Sequence, residues 1–213
     1  MRKSNRGKVL LAGACLLAGV SAWGQQTTGT MKIAPRSIDV GVTYSAERAY
    51  IAPGSCDCFW FNGGGADVAI TLWKGFGAAA ALTGDHASDV NPGIDISKVT
   101  YMGGPRYTHI LPNWKTGPLA KRRWEVFGEG LFGEAHAFNS AFPNGAQLKP
   151  SAHSFAMQTG GGISIFFSKR IAARVLEADY VRTNLPNSIS DVQNDVRLGA
   201  GVTYHVGSLP HLR

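Results

Sequence analysis

Apolar residues alternate with small or polar residues along several segments of this chain. In residues 38–45 the even positions are apolar, and the odd positions hold Asp, Gly, Thr and Ser. Successive side chains of a strand point to opposite faces, so this repeat is typical of a β-strand with one apolar face. The chain also has 27 glycines, and each would cost a helix interior roughly 1 kcal/mol relative to alanine. The pattern predicts an all-β fold.

Eight segments carry this strand pattern or a weaker form of it. They are residues 38–45, 66–73, 76–84, 99–103, 124–134, 155–167, 171–182 and 196–206. The main helical alternative, residues 119–142, contains Gly128, Gly130 and Gly133, which would cost a helix roughly 3 kcal/mol in total. We therefore predict eight strands, with a tight turn at Lys74-Gly75 between the second and the third.

The connections between these segments differ in length. Those after the first, third, fifth and seventh segments span 11 residues or more, whereas those after the second and sixth span two or three. Long connections at one end and short turns at the other are typical of a membrane barrel. The sequence predicts an eight-stranded antiparallel up-and-down transmembrane β-barrel with both termini at the end of the short turns.

The N-terminus has the organisation of a secretory signal. Four basic residues lie within residues 1–8, an apolar run follows over 9–20, and small residues precede Gln25. We predict a signal peptide over 1–24, a lead-in over 25–36, a barrel over 37–206 and a tail over 207–213. A lipoprotein signal ending at Cys15 is the alternative. Cleavage after Gly24 leaves 17 Lys and Arg against 14 Asp and Glu, so the net charge falls from +7 to +3. No basic stripe for nucleic acid remains, and we expect no such partner.

A soluble barrel and a membrane barrel use an apolar strand face differently, the first against its own core and the second against lipid. The opposite face here is rich in Gly, Ser, Thr and ionisable residues, and Lys is nearly absent from it. Aromatic residues gather near the strand ends, as the two interfaces of a membrane barrel require. The pattern favours a membrane barrel with its charged side chains in the lumen.

Barrel closure places the strand that carries Arg197 between the strand of Asp39 and the strand of Glu177 and Asp179. Unpaired charges in a narrow lumen would cost several kcal/mol, so opposite charges are expected to pair. We predict a lumenal ion-pair network of Asp39, Glu129, Glu177, Asp179 and Arg197 that plugs the barrel. The alternative is a water-filled lumen in which the charges are solvated.

Two cysteines remain after signal cleavage, Cys56 and Cys58, in a C-x-C arrangement. Export brings a protein into an oxidising compartment, where thiols pair. The spacing permits a small local ring, and bonds to another chain or a share in a soft-metal site are the alternatives. We predict a loop disulfide between Cys56 and Cys58, and we expect no metal and no other cofactor.

Three motifs are similar to those of a known family. They are the glycine-rich sequence over 158–162, the Ala178-Asp179-Tyr180 sequence of the seventh segment, and Arg197-x-Gly199-x-x-Val202-x-Tyr204 in the last segment. With these motifs the chain resembles the small outer-membrane β-barrels of the OmpA/OmpX-like family of Gram-negative bacteria.

The resemblance implies a location in the bacterial outer membrane after export, in contact with lipid and lipopolysaccharide, and a monomeric state. It also implies that Arg197, Gly199, Val202 and Tyr204 form the signal that the outer-membrane assembly machinery reads. Such chains usually stop at a terminal aromatic residue, whereas this one continues through 207–213.

Three functions agree with this architecture. The first is a non-enzymatic role in envelope structure or surface interaction through long extracellular loops, and the second is a narrow pore for ions or small solutes. The third is a lipid A-modifying enzyme, for which a deacylase would need a serine beside a histidine. The candidate pairs are His153 with Ser154 and His136 with Ser140. Adjacent strand residues point to opposite faces, so we expect no dyad at His153 and no enzymatic activity.

Overall fold

Eight antiparallel strands make up the part of the chain that the computed structural model describes, which is residues 37–50, 58–91, 94–111, 122–144, 146–187 and 191–207. The strands are β1 (Ser37–Tyr50), β2 (Cys58–Trp73), β3 (Phe76–Asn91), β4 (Ile94–Leu111), β5 (Trp124–Asn144), β6 (Gln147–Phe166), β7 (Ile171–Thr183) and β8 (Gln193–Gly207). Each pairs with its neighbours in sequence, and β1 also pairs with β8. The predicted eight-stranded barrel is confirmed.

The two ends of the barrel differ in which termini and which connections lie there. β1 begins and β8 ends at one end, which we call the terminal end. The β1–β2, β3–β4, β5–β6 and β7–β8 connections lie at the opposite end, which we call the loop end. The predicted signal peptide and lead-in, Cys56, and residues 208–213 of the predicted tail lie outside the described residues.

The strands extend further toward the loop end than the sequence pattern predicted. β5 has 21 residues and β6 has 20, whereas a membrane crossing needs roughly 9–11. The β3–β4 and β5–β6 connections consequently contain two residues each, and the expectation of long loops at these places is wrong. The longest connection, over 112–123, joins β4 to β5 at the terminal end.

The period-two pattern fails in these extensions because polar residues occupy both faces of the strands. Pairing between backbones continues regardless, with Phe142 opposite Lys149 and Asn144 opposite Gln147. A buried contact of Ala137, Phe142 and Leu185 adds an apolar anchor at the loop end. The loop end therefore projects as strand hairpins.

The turn between β2 and β3 matches the prediction from sequence. Lys74 and Gly75 both adopt positive φ angles, 48° and 91°. Two consecutive residues with positive φ make the type I′ turn, whose twist matches that of the strands it joins. Glycine carries the more extreme angle at no steric cost.

The outward face of the barrel is apolar. Every strand contributes large apolar side chains to it, among them Val42, which is 65% exposed, Val68, Leu82 and Val202. A soluble protein exposes such residues singly or in small patches, whereas a belt from all eight strands is a surface for lipid. The described residues contain no helix that is long and apolar enough to span a membrane.

Aromatic side chains border this apolar belt at two levels. Toward the terminal end lie Trp73, Phe76, Tyr107 and Phe167, and toward the loop end lie Tyr44, Trp60, Tyr101, Phe155 and Tyr180. On β2 the two levels are marked by Trp73 and Trp60. At about 3.3 Å per residue and a tilt of about 40°, that separation is about 33 Å, which is close to the thickness of a bilayer core.

The position of the lipid belt can be tested with two arginine substitutions. Val68→Arg places a charge within the belt and is expected to lower the free energy of unfolding by about 2–4 kcal/mol in a phospholipid bilayer. Leu148→Arg, at a 70% exposed site in the β6 extension, is expected to change it by less than about 1 kcal/mol. Denaturant titration in liposomes measures both values, and equal effects at the two sites would refute this position of the belt.

Candidate functional site: the charged lumen

The inward face of the strands carries most of the carboxylates that the structure describes, together with several bases. The nine inward carboxylates are Asp39, Glu47, Asp67, Asp85, Glu125, Glu129, Glu177, Asp179 and Asp195. The inward bases are Lys98, Arg106, Arg174, Arg197 and His205. An eight-stranded barrel is just wide enough for side chains to fill, so these groups are forced into contact.

Arg197 centres the cluster nearer the loop end, which we call the Arg197 cluster. Its guanidinium donates from Nε and Nη2 to Glu47 Oε2 at 3.1 and 2.9 Å. Nη2 also lies 3.4 Å from Asp85 Oδ2, and Nη1 donates to Gln158 Oε1 at 3.1 Å. Lys98 forms a second ion pair with Glu47, whose side chain is completely buried. The cluster joins β1, β3, β4, β6 and β8 across the lumen.

Arg174 centres a second cluster nearer the terminal end, the Arg174 cluster. Its guanidinium forms a two-pronged ion pair with Asp67, at 2.8 Å to Oδ1 and 3.0 Å to Oδ2. It also donates to Glu177 Oε2 at 2.7 Å. Arg106 reaches Asp67 at 3.2 Å and Glu129 at 3.4 Å. Paired forks of this kind are the strongest carboxylate contacts that arginine makes.

An aromatic ring supports the second cluster. The guanidinium carbon of Arg106 lies 3.7 Å from the centre of the Phe127 ring, and that of Arg174 lies 4.9 Å from it. Arginine interacts favourably with an aromatic face, and more so where water is excluded. Phe127 therefore compensates part of the hydration that these two side chains lose on burial.

Glycines provide the space for both clusters. A Cβ atom at Gly41 would overlap the carboxylate of Asp67 and lie 2.9 Å from Arg174 Nη2. A Cβ atom at Gly160 would overlap Asp179 in the same way, only 2.7 Å from its Cα atom. The inward glycines of these strands thus leave room for long charged side chains in a narrow barrel.

All five residues of the predicted network lie in the lumen, but their contacts belong to separate groups. Arg197 has Glu47 and Asp179 as its cross-strand neighbours, and its guanidinium engages Glu47. Asp39 lies at the terminal end, where its Oδ1 is 2.5 Å from His205 Nδ1. Glu129 and Glu177 belong to the Arg174 cluster.

The predicted network lacked two sets of residues that the structure places in these contacts. They are the bases Lys98, Arg106, Arg174 and His205 and the acids Glu47, Asp67 and Asp85. Glu47 lies just beyond the predicted end of the first strand, and Lys98 and Arg106 flank the predicted fourth segment. Arg174 and Glu177 fall on opposite faces under strict alternation. A register shift in β7 between these two residues turns both inward, and the alternation pattern gave no signal of it.

The loop end closes with apolar side chains above the Arg197 cluster. Ala49, Phe61 and Ala87 form a buried cluster there, and Lys98 Nζ lies 4.6 Å from the centre of the Phe61 ring. A cavity of about 340 Å³ opens among these residues and the β5 extension. The lumen therefore has ionic contacts in its middle and apolar contacts at the loop end.

The residues of the predicted assembly signal lie along β8 with separate orientations. Arg197 and Gly199 face the lumen, whereas Val202 and Tyr204 are exposed on the lipid belt. Cys58 at the start of β2 is half-buried, has no disulfide partner within the described strands, and accepts a hydrogen bond from Arg48 Nη2 at 3.4 Å. Cys56 lies outside the described residues, and the loop disulfide stays a prediction.

One candidate pair of the enzymatic alternative, His153 with Ser154, is divided between the two faces of β6, and within the described strands no hydrogen bond joins the other pair, His136 and Ser140. His153 points outward and its ring stacks on that of His136 at 3.9 Å, while Ser154 points inward. A pair that the sequence reasoning missed, His86 with Ser97, has a contact of 3.0 Å. The second ring nitrogen of His86 contacts Ser88 at 3.3 Å, so both nitrogens are taken by hydroxyls and neither is oriented by a carboxylate.

Solved structures share this architecture. Neisserial surface protein A superposes with a TM-score of 0.53 at 14% identity, over 78% of this chain and 96% of that chain. Ail, the attachment invasion locus protein of Yersinia pestis, gives a TM-score of 0.47 at 11% identity, covering 81% and 100%. The N-terminal β-barrel domain of Pseudomonas aeruginosa OprF gives 0.40 at 14% identity, covering 81% and 98%. No family model and no curated protein matches the chain.

The closed ring of eight antiparallel strands is the fold of the small outer-membrane β-barrels. This confirms the fold that the resemblance to the OmpA/OmpX-like family predicts.

The contribution of the Arg174 cluster to the free energy of unfolding can be measured by comparison with a matched arginine on the same strand. Arg174→Met leaves Asp67 buried with one ion pair fewer and is expected to lower the free energy of unfolding by about 3–5 kcal/mol. Arg182→Met, at an exposed outward site, is expected to change it by less than about 0.5 kcal/mol. Denaturant titration of both variants provides the comparison, and a small effect at both sites would show that the cluster contributes little to stability.

Proposed function

We propose that this protein is a non-enzymatic, non-conducting barrel of the bacterial outer membrane that acts through its surface. The observation that carries the proposal is the salt-bridged lumen, in which the Arg197 and Arg174 clusters lie one above the other. An ion that crossed the barrel would have to separate buried pairs, and each broken pair leaves uncompensated charge. The proposed role is therefore structural or interactive.

The loop end is the part of the molecule suited to interaction. The extended hairpins β3–β4 and β5–β6 carry strand pairing beyond the length needed to cross a bilayer. Rigid hairpins present side chains in fixed positions, which lowers the entropic cost of binding a partner. We propose lipopolysaccharide and the surrounding lipid as the first contacts of this end, with the protein acting as a monomer. Neisserial surface protein A, which has this fold, is named for its place at a surface.

The second candidate function is a narrow pore. It is favoured by a cavity of about 30 Å³ between the two clusters, which shows that packing in the lumen is incomplete. A pore would need this space to join the 340 Å³ cavity at the loop end. The residues of the Arg197 cluster lie between the two cavities, so we prefer a closed lumen to a pore.

Conductance distinguishes the two functions. The chain from residue 25, refolded into a planar bilayer, is expected to show no stable openings. The double variant Arg174→Ala/Arg197→Ala removes the centre of both clusters and is expected to admit cations, because the remaining lumenal charge is acidic. Arg182→Ala is the matched control and is expected to stay silent. Stable openings of the unmodified barrel would establish the pore.

Export and assembly are proposed from the signal-like N-terminus and from β8. The residue pattern over 1–24 supports transport across the inner membrane with cleavage after Gly24. The outward position of Val202 and Tyr204 on the strand that closes the barrel supports recognition by the assembly machinery. Both features together support a location in the outer membrane.

The assembly proposal is tested by Tyr204→Ala with Tyr107→Ala as its control, since both residues are outward tyrosines on the belt. In a Gram-negative host the first variant is expected to reduce the folded, heat-modifiable barrel in outer-membrane fractions at least threefold, and the second is expected to leave it near normal. Mass spectrometry of the folded protein is expected to find Gln25 at its N-terminus. Equal yields of the two variants would remove Tyr204 from the signal.

A further inference from the structure

Three carboxylates meet in the lumen between the two arginine clusters. Glu129 on β5 and Glu177 and Asp179 on β7 each offer an oxygen atom within 4.8 Å of the other two. Glu129 and Glu177 each have an arginine contact, at 3.4 Å and 2.7 Å. The arrangement brings three acids together and leaves the third without an arginine contact of this kind.

Asp179 is the third acid, and it is buried without a basic partner. Only 3% of it is exposed, and no basic or neutral donor among the residues that the structure describes makes a hydrogen bond to either carboxylate oxygen. Its cross-strand neighbour Arg197 directs its guanidinium to Glu47, Asp85 and Gln158 instead. A buried carboxylate is costly unless a cation or a proton compensates it.

A small cavity lies against these carboxylates. Its volume is about 30 Å³, and all three acids line it. The other charged or hydroxyl side chains of the lining include Asp67, Arg174, Arg197, Thr43 and Thr83. A space of this size holds one water molecule or one ion. The unpartnered carboxylate of Asp179 therefore faces a space of the right size for a single ligand.

The charge of the lumen favours a cation in that space. Four carboxylates, those of Asp67 and the three acids, line the cavity against the guanidinium groups of Arg174 and Arg197, which leaves two excess negative charges there. Arg106 and Arg174 both pair with Asp67 as well as with a member of the triad, which reduces the charge they offer to Glu129 and Glu177. A divalent ion would neutralise the two excess charges.

We propose that Glu129, Glu177 and Asp179 form a binding site for one calcium ion inside the barrel. Calcium takes oxygen ligands at about 2.3–2.6 Å in flexible geometry, whereas magnesium demands a near-ideal octahedron at about 2.0–2.1 Å and keeps several waters. The three carboxylate oxygens lie within 4.8 Å of one another, so one ion can contact all three after small side-chain movements. A cavity of about 30 Å³ leaves little space for the waters that magnesium retains, which favours calcium. Second carboxylate oxygens and one or two waters complete the six to eight ligands that calcium takes.

The experiment refolds the full barrel in detergent micelles with either calcium or a chelator present, because the site lies inside the closed lumen. Calcium is expected to raise the melting temperature in a saturable manner and magnesium at the same concentration to raise it less than half as far. Asp179→Asn keeps the shape of the side chain but removes its charge. It is expected to weaken calcium binding at least tenfold, measured by the calcium dependence of the melting temperature.

A second readout separates binding from a merely structural role of Asp179. In chelator, Asp179→Asn is expected to melt at a higher temperature than the unmodified barrel, since it removes an unpaired buried charge. Asp95→Asn, at an exposed acid on β4, is the control and is expected to keep the full calcium response. Retention of that response in Asp179→Asn would overturn the proposal. A barrel whose stability in chelator falls as pH rises, with no response to calcium, would also overturn it and assign a shared proton to the triad.

Discussion

Closure of the sheet between β1 and β8 is the constraint on which the rest of the structure depends. Lipid offers no hydrogen bonds, so a strand can cross it only when both of its edges are paired. Register along the seam, with Val40 opposite Tyr204 and Glu47 opposite Arg197, fixes which residues point outward and which inward. The same pairing therefore sets the lipid belt on one side of the wall and brings the charges of distant strands together on the other.

Narrowness is the second consequence of an eight-stranded ring. The lumen cannot hold bulk water around nine carboxylates and five bases, so these groups meet each other instead. Arginine dominates the contacts because its planar fork reaches two carboxylates at once, as Arg174 does with Asp67 and Glu177. Small residues on the inward face, such as Gly41, make that geometry possible.

The architecture separates three kinds of surface along one short chain. The outward belt is apolar, the lumen is crossed by ion pairs, and the hairpins at the loop end extend beyond the belt. The proposed surface role and the proposed calcium site follow from this division, the first from the rim and the second from the excess of acid in the lumen.

The fold could be predicted from the sequence because period two is a local property. Alternation over residues 38–45 and 196–206, the inward glycines and the Lys74-Gly75 turn needed no knowledge of distant residues. The charged interior was also predictable, since Arg197, Glu177 and Asp179 share the polar face of their strands. Which charge meets which was decided only by the tertiary structure. A register shift turned Arg174 and Glu177 to the same side, and the extension of β1 and β4 toward the loop end brought Glu47 to Lys98 across the lumen. Such contacts depend on stagger between strands far apart in sequence, which no single segment encodes.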